Sequence, residues 1–268
     1  GMDLIGYNYM TARYAADAVN YPNRVIVGSE TYPPEIARNW AIIRAQSNVI
    51  GDFTWTGWDY LGEAGVGIPE YEPGSGGFGS HFPAQLAYVG DIDITGSRRP
   101  TSYFREIVFG LRKDPYITVL EPERLGQKPR TTPWILSDSY ASWSHPEHEG
   151  ETLAVEVYSP GDSVELILNG SSLGRKPAGP AAGFISRFRV PYVPGTLEAV
   201  AYSGEAVVGR AKLASADTGD RRIELTPEIM ERLIFVEVSV QDKSGNVHTA
   251  GREELRCTVT GDAGLLGW

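Results

Sequence analysis

The sequence changes its hydrophobic rhythm once, at Asp114-Pro115, and no single fold class accommodates both sides of that change. Upstream, short apolar runs alternate with helix-like stretches. Asp3 to Tyr9 (DLIGYNY) and Arg24 to Gly28 (RVIVG) read as buried strands, the second with β-branched residues at 25, 26 and 27. Asn48 to Thr54 (NVIGDFT) reads as a third. Between them, Thr11 to Val19 is helical in pattern. Glu35 to Ser47 sets Ile36, Trp40, Ile43 and Ala45 near helical spacing behind Pro33 and Pro34, which suit a first turn. This is the order of parallel βα units. Three such strands neither close a barrel nor bury both faces of a parallel sheet, so the unit is expected to be incomplete at its N-terminal side.

Downstream, strands alternate apolar and polar residues between turn signals: Leu153 to Tyr158, Val164 to Leu168, Phe184 to Val190, Thr196 to Tyr202 and Ala206 to Leu213. Asn169-Gly170 is a strong hairpin signal, because a type I′ turn demands positive φ at both positions; that explains the pair better than the glycosylation acceptor it forms with Ser171. The pattern predicts an immunoglobulin-like sandwich of roughly 100 residues. From Ala216 a further piece offers strands at Ile223 to Leu225, Ile234 to Val240 and Leu255 to Val259, too few for a complete sandwich. The expected fold class is multidomain, α/β followed by all-β, with units over 1–114, 115–215 and 216–268. Pro69 to Gly79 (PEYEPGSGGFG) is a long loop expected beside a site, with a disordered linker as the alternative.

A net charge of −10 and a pI near 5.0 argue against a polyanionic ligand, since phosphate binding rests on clustered Lys and Arg; nucleic acid is excluded as a partner. No apolar run approaches the ~20 residues of a membrane helix, and no secretory leader is visible, which favours the cytoplasm slightly and leaves location open. Gly1-Met2 running directly into an apolar strand reads as an artificial junction. The single Cys257 is expected to be a small buried hydrophobe in a strand, and the four histidines (His81, His145, His148, His248) to be mostly solvent-facing. Neither residue type has metal-ligand spacing, so no metal and no cofactor is expected.

In parallel βα architectures the chemistry sits at the C-terminal ends of strands. Here those ends carry Asn8-Tyr9, Ser29-Glu30-Thr31 and Thr54 to Asp59 (TWTGWD). Glu30 follows an apolar strand directly, where a carboxylate needs a partner to offset desolvation; a structural salt bridge and a catalytic role both fit. The aromatics Tyr9, Tyr32, Trp55, Trp58 and Tyr60 converge on the same rim. Each alone reads as core packing, but flat apolar faces bordered by carboxylates suit a pyranose ring, so carbohydrate is the favoured ligand.

The run VGSETYP (Val27 to Pro33), one strand before IGDFTWTGWDYLGEAG (Ile50 to Gly65) and one after DLIGYNY, resembles the last part of the (β/α)₈ catalytic barrel of glycoside hydrolase family 2, the family of β-galactosidases, β-glucuronidases and β-mannosidases. The resemblance implies that the strands ending at Tyr9, Glu30 and Trp55 are the sixth, seventh and eighth of that barrel. It implies Glu30 as nucleophile, Tyr9 as the tyrosine bonded to it with Asn8 alongside, and Trp55 as the floor of the sugar subsite. Trp58, Asp59 and Glu63 belong to the motif of the galactosidase-like branch and are expected to shape that subsite. Tyr88 to Asp91 and Arg98 to Gly110 resemble the closing loop and last helix, and YSPGDSVELILNGSSLGRK with VPYVPGTLEAVAY resembles the immunoglobulin-like domain that follows the barrel in many bacterial members. IFVEVSVQDKSGNV resembles the start of the next such domain.

The implied activity is retaining hydrolysis of terminal β-linked sugars, β-galactosides foremost. Retaining enzymes hold two carboxyls about 5 to 5.5 Å apart. In the family the acid/base is a glutamate that follows an asparagine, and no Asn-Glu pair occurs in these 268 residues. The chain alone is therefore expected to be inactive. Two other classes remain open: a non-catalytic carbohydrate-binding or structural fragment, and an adhesion-type sandwich protein. Oligomeric state is also open, a homo-oligomer included.

Overall fold

The computed structural model describes residues 3–249, 251 and 254–267. Its first part is a parallel sheet in the order β1 (Leu4–Asn8), β2 (Val25–Thr31), β3 (Val49–Thr54). After β1 come a 3₁₀ turn at Thr11–Arg13 and helix α1 (Tyr14–Asn20); after β2, a 3₁₀ turn at Pro33–Glu35, where the two prolines sit, and α2 (Ile36–Ala45). The helices cover one face of the sheet. Tyr7, Ile26 and Val49 bury against Tyr14 and Ile43, with Ile5, Trp40 and Ile42 packed at the margin. On the opposite side of the sheet Leu4, Ile50 and Phe53 lie exposed. A short pair, β4 (Tyr60–Leu61) with β5 (Leu86–Ala87), and α3 (Pro100–Val108) complete this part.

The second part is a two-layer β-sandwich. Its strands are β6 (Tyr116–Leu120), β7 (Ser139–Tyr140), β8 (Thr152–Tyr158), β9 (Ser163–Leu168), β10 (Ser171–Pro177), β11 (Ile185–Pro191), β12 (Thr196–Ser203) and β13 (Ala206–Ala214). One sheet runs β10-β9-β12-β13 and the other β11-β8-β6-β7. Alternate residues of both sheets meet in one core, among them Val119, Leu153, Val155, Val157, Leu166 and Leu197. Trp143 is fully buried there, its indole N–H donating to the Val193 carbonyl at 3.1 Å. The β9–β10 turn has φ of 49° at Asn169 and 83° at Gly170, as the Asn-Gly pair predicts, and the Asn169 side chain bonds Pro194 and Thr196. A third hydrophobic cluster joins the parts: Ile36 of α2 and Phe104, Ile107 and Val108 of α3 pack on Tyr158 of β8, and Trp40 stacks on Phe109 at 4.3 Å.

The chain then forms one long hairpin, β14 (Arg222–Met230) with β15 (Leu233–Gln241), turning at Glu231-Arg232. The register pairs Ile223 with Val240, Leu225 with Val238, Pro227 with Val236 and Ile229 with Ile234. With a period of two, these eight residues share one entirely apolar face, most of it solvent-exposed. Two expectations fail around it. Leu255 to Val259 is not a strand: these residues pair with no ladder and lie largely in solvent, and Cys257 is exposed. Nor are the histidines mostly solvent-facing: His145 is buried beside Trp143 and Tyr192, and His248 is buried with its ring bonded to the Asp220 carbonyl.

Candidate active site

The C-terminal end of β2 is built around close packing. A Cβ at Gly28 would lie 2.5 Å from the Tyr14 hydroxyl and 2.8 Å from Asp52 Cβ, so glycine lets α1 and β3 approach the strand. Beyond it Thr31 is buried and donates to Asp52 at 2.8 Å, tying β2 to β3. Glu30, one residue earlier, is half-buried. The Tyr9 amide donates to the Glu30 carbonyl at 2.9 Å, fixing the ends of β1 and β2 together, and Asn8 is the register partner of Glu30. Tyr9 holds φ at 51°, a left-handed conformation that costs a non-glycine residue on the order of 1 kcal/mol.

The Tyr9 hydroxyl sits between two groups. It accepts the Trp134 indole N–H at 3.0 Å, and its other polar neighbour is the Glu30 carboxylate, whose charge acts on the phenol. Burial raises its pKa well above the ordinary phenol value; the Trp134 bond opposes that, and the Glu30 carboxylate adds to it. Tyr9 also stacks on Tyr32 at 4.2 Å, and Trp134 meets both rings edge-on, at 6.0 and 5.4 Å. Phe78, in the glycine-rich loop, reaches the other side of Trp134 at 5.5 Å.

The third strand end supplies a second aromatic group. Trp55 meets Tyr60 edge-on at 5.7 Å, and both pack with Trp134 on the buried Val66, Ala87 and Val89. Tyr60 donates to Glu63, a residue with φ of 43°. Burial first, then the Glu63 bond and the charges of Glu63 and Glu30, push the Tyr60 phenol up to about 12. The titration of Tyr60 therefore feels Glu30, and the two aromatic groups border one carboxylate.

Of the residues singled out in the sequence, Asn8, Tyr9, Glu30, Trp55 and Glu63 fall in this neighbourhood. Asp59 does not open into it. Its side chain is inaccessible, accepting the Gly90 amide at 2.8 Å and both guanidinium nitrogens of Arg99 at 2.9 and 2.5 Å. Burial holds its carboxyl above the ordinary carboxylate range, and these bonds offset only part of that rise. Trp58, about half exposed, forms an isolated backbone bridge with Ile92. The residue sequence reasoning missed is Trp134, 125 positions from Tyr9. Only the isolated tryptophan in TTPWIL marks it, and no strand end precedes it.

Residues 150–209 match a domain of unknown function, DUF4982. Across 83% of the chain it is 28% identical to a putative β-glucuronidase of Formosa agariphila, and across 84% it is 25% identical to the β-galactosidase BoGH2A of Bacteroides ovatus. A crystal structure of a glycosyl hydrolase family 2 member from Bacteroides cellulosilyticus superimposes on 91% of the chain with a TM-score of 0.79 at 34% identity. The chain's relatives are glycoside hydrolases of family 2. It covers a part of them: 19% and 23% of the two curated proteins and 32% of the crystallised family 2 chain. A β-glycosidase from Bacteroides vulgatus shares the fold at 19% identity, with a TM-score of 0.62.

Proposed function

We propose that the chain carries the nucleophile half of a retaining family 2 glycosidase site, with Glu30 as the nucleophile, on the last three βα units of a (β/α)₈ barrel. The observation that carries this reading is Glu30 at the end of the central parallel strand, its carboxylate acting on the Tyr9 and Tyr60 phenols, with Trp55 and Trp134 packed beside those rings. The uncovered face of the parallel sheet, with Leu4, Ile50 and Phe53 in solvent, supports the barrel reading, because such a face is stable only when further strands curl over it. Residues 1–114 then form the partial barrel, 115–215 an immunoglobulin-like domain and 216–268 the start of another.

In the reaction, a Glu30 oxygen attacks the anomeric carbon of a terminal β-linked sugar as the glycosidic C–O bond breaks, and the leaving oxygen takes a proton from a second carboxyl acid. Water then cleaves the glycosyl ester, giving up its proton to that same carboxyl. Tyr9 orients Glu30, Trp55 offers a ring face to the sugar CH groups, and Asn8 and Glu63 take hydroxyls. Asp59 holds the loop after β3 through Arg99 in place of binding substrate. β-Galactosides are the class proposed first, on the motif of Trp58 to Glu63. The second carboxyl lies in barrel strands outside this chain, so the chain alone does not turn over.

Aryl β-galactoside, β-glucuronide and β-mannoside assays test this. The expected result is no turnover by the chain, and turnover by a protein carrying these residues behind five further βα units, abolished by Glu30→Gln. Activity of the isolated chain that Glu30→Gln removes would mean that the acid is present here.

A further inference from the structure

Trp134 belongs to neither a parallel strand nor the sandwich. It lies on a strap that leaves β6, makes a 3₁₀ turn at Pro122–Arg124, crosses the aromatic wall and re-enters the sandwich as β7. The strap is fastened to the glycine-rich loop along its length. Glu70 and Arg130 exchange backbone hydrogen bonds of 2.9 Å each way and pair through their side chains, and the Tyr71 hydroxyl donates to Asp138 at 2.7 Å. Its far end is held by the ladder between β7 and β6.

We propose that Trp134 is a positioning residue for Glu30, acting through the Tyr9 hydroxyl, so that the strap makes the strand-end carboxylate depend on the sandwich. This rests on the reading of Glu30 as the nucleophile. An indole N–H only donates, so Trp134 on the Tyr9 oxygen leaves the phenol's single proton to turn away from the indole, with the Glu30 carboxylate as its polar neighbour. Each bond of such a chain polarises the next. The ring itself has little freedom, since Tyr9, Tyr32 and Phe78 hold its edges and Val66, Ala87 and Val89 lie against it. Trp134 thus sets the direction of the Tyr9 hydroxyl beside the carboxylate, and it reaches there from outside the parallel sheet.

The experiment follows the Trp134 indole N–H resonance in the ¹⁵N-labelled full chain, assigned with Trp134→Phe, in Tyr9→Phe and in Glu30→Gln. The expected result is a shift in both variants, the second without any direct contact between Glu30 and Trp134. A resonance unmoved by Tyr9→Phe, or moved by it and not by Glu30→Gln, overturns the relay. The functional arm uses a 2,4-dinitrophenyl 2-deoxy-2-fluoro-β-galactoside, whose phenolate leaves with the bonding pair as the Glu30 ester forms, so no acid is needed. Adduct mass over time is expected to accumulate about tenfold to a hundredfold more slowly in Trp134→Phe and to recover in Trp134→His, which restores an N–H donor. An unchanged rate overturns the positioning role. No adduct in the unmodified chain removes the nucleophile reading, with the resonance shifts still deciding the relay.

Discussion

Glu30 and Asp59 show how two carboxylates near neighbouring strand ends acquire opposite fates. Glu30 stays half-open, while Asp59 is closed around Arg99 and the Gly90 amide. Removing one partner of a buried pair leaves the other uncompensated, typically at about 3–5 kcal/mol. Asp59→Ala is therefore expected to lower unfolding stability by about that much in urea, whereas Glu30→Gln is expected to change it by less than about 1 kcal/mol. Equal effects of the two would remove the distinction. The sequence places Asp59 beside Trp58 and Tyr60 and so among sugar ligands; its partner, 40 residues on, has no local signal. Glu30 was legible because an apolar β-branched run delivers it to a strand end. Trp134 was not, since its role comes from tertiary approach alone.

At the scale of elements, the parallel strands, both helices after them and the sandwich hairpins follow patterns visible in the sequence, with ends shifted by a few residues. β2 runs on through Thr31, so Glu30 lies within the ladder and not after it. Besides the two-residue strands β4, β5 and β7, too short to show any pattern, the strands that escaped notice are β10, whose SSLGRKP is polar, glycine-containing and exposed along a sheet edge, and β6, five residues set behind a proline with no flanking alternation. Gly28→Ala is expected to destabilise by about 1–3 kcal/mol by overpacking against Tyr14 and Asp52, measured by thermal or urea melts. On the strap, burial and then a bond to Glu123 push Glu121 up to about 7, while the same bond pulls Glu123 down to about 2. A carboxyl raised in the folded state stabilises most below its unfolded value near 4.5 and loses that contribution as pH rises towards 7; Glu123 contributes above 4.5 and loses it as pH falls. Glu121→Gln is accordingly expected to gain in melting temperature relative to the unmodified chain at pH 8 compared with pH 5. A gain that is larger at pH 5 would contradict the shared-proton arrangement.

At the scale of the molecule, two apolar surfaces stand uncovered among the described residues: the open face of the parallel sheet and the eight-residue face of the β14–β15 hairpin. Both were foreseeable from strand counts too low to close a barrel or a second sandwich. What strand counts do not give is the alignment by which Ile223, Leu225, Pro227 and Ile229 meet four apolar partners. Contiguous apolar surface on this scale promotes association, so the chain is expected to bind a hydrophobic dye and to self-associate in sedimentation. The pair Ile229→Lys and Val236→Glu should reduce both while the melting of the sandwich, followed through the buried Trp143, stays in place.

The strap also bears on how such proteins are inherited in pieces. Asp114-Pro115 looks like the natural joint for exchanging one sandwich for another, yet a gene recombined there would carry a foreign strap across the Tyr9 hydroxyl along with its new sandwich. A crossover just past Asp138 would leave Trp134 with its own lineage, at the cost of splitting β6 from β7. Neither cut separates the two parts cleanly, and their descent is tied by one indole.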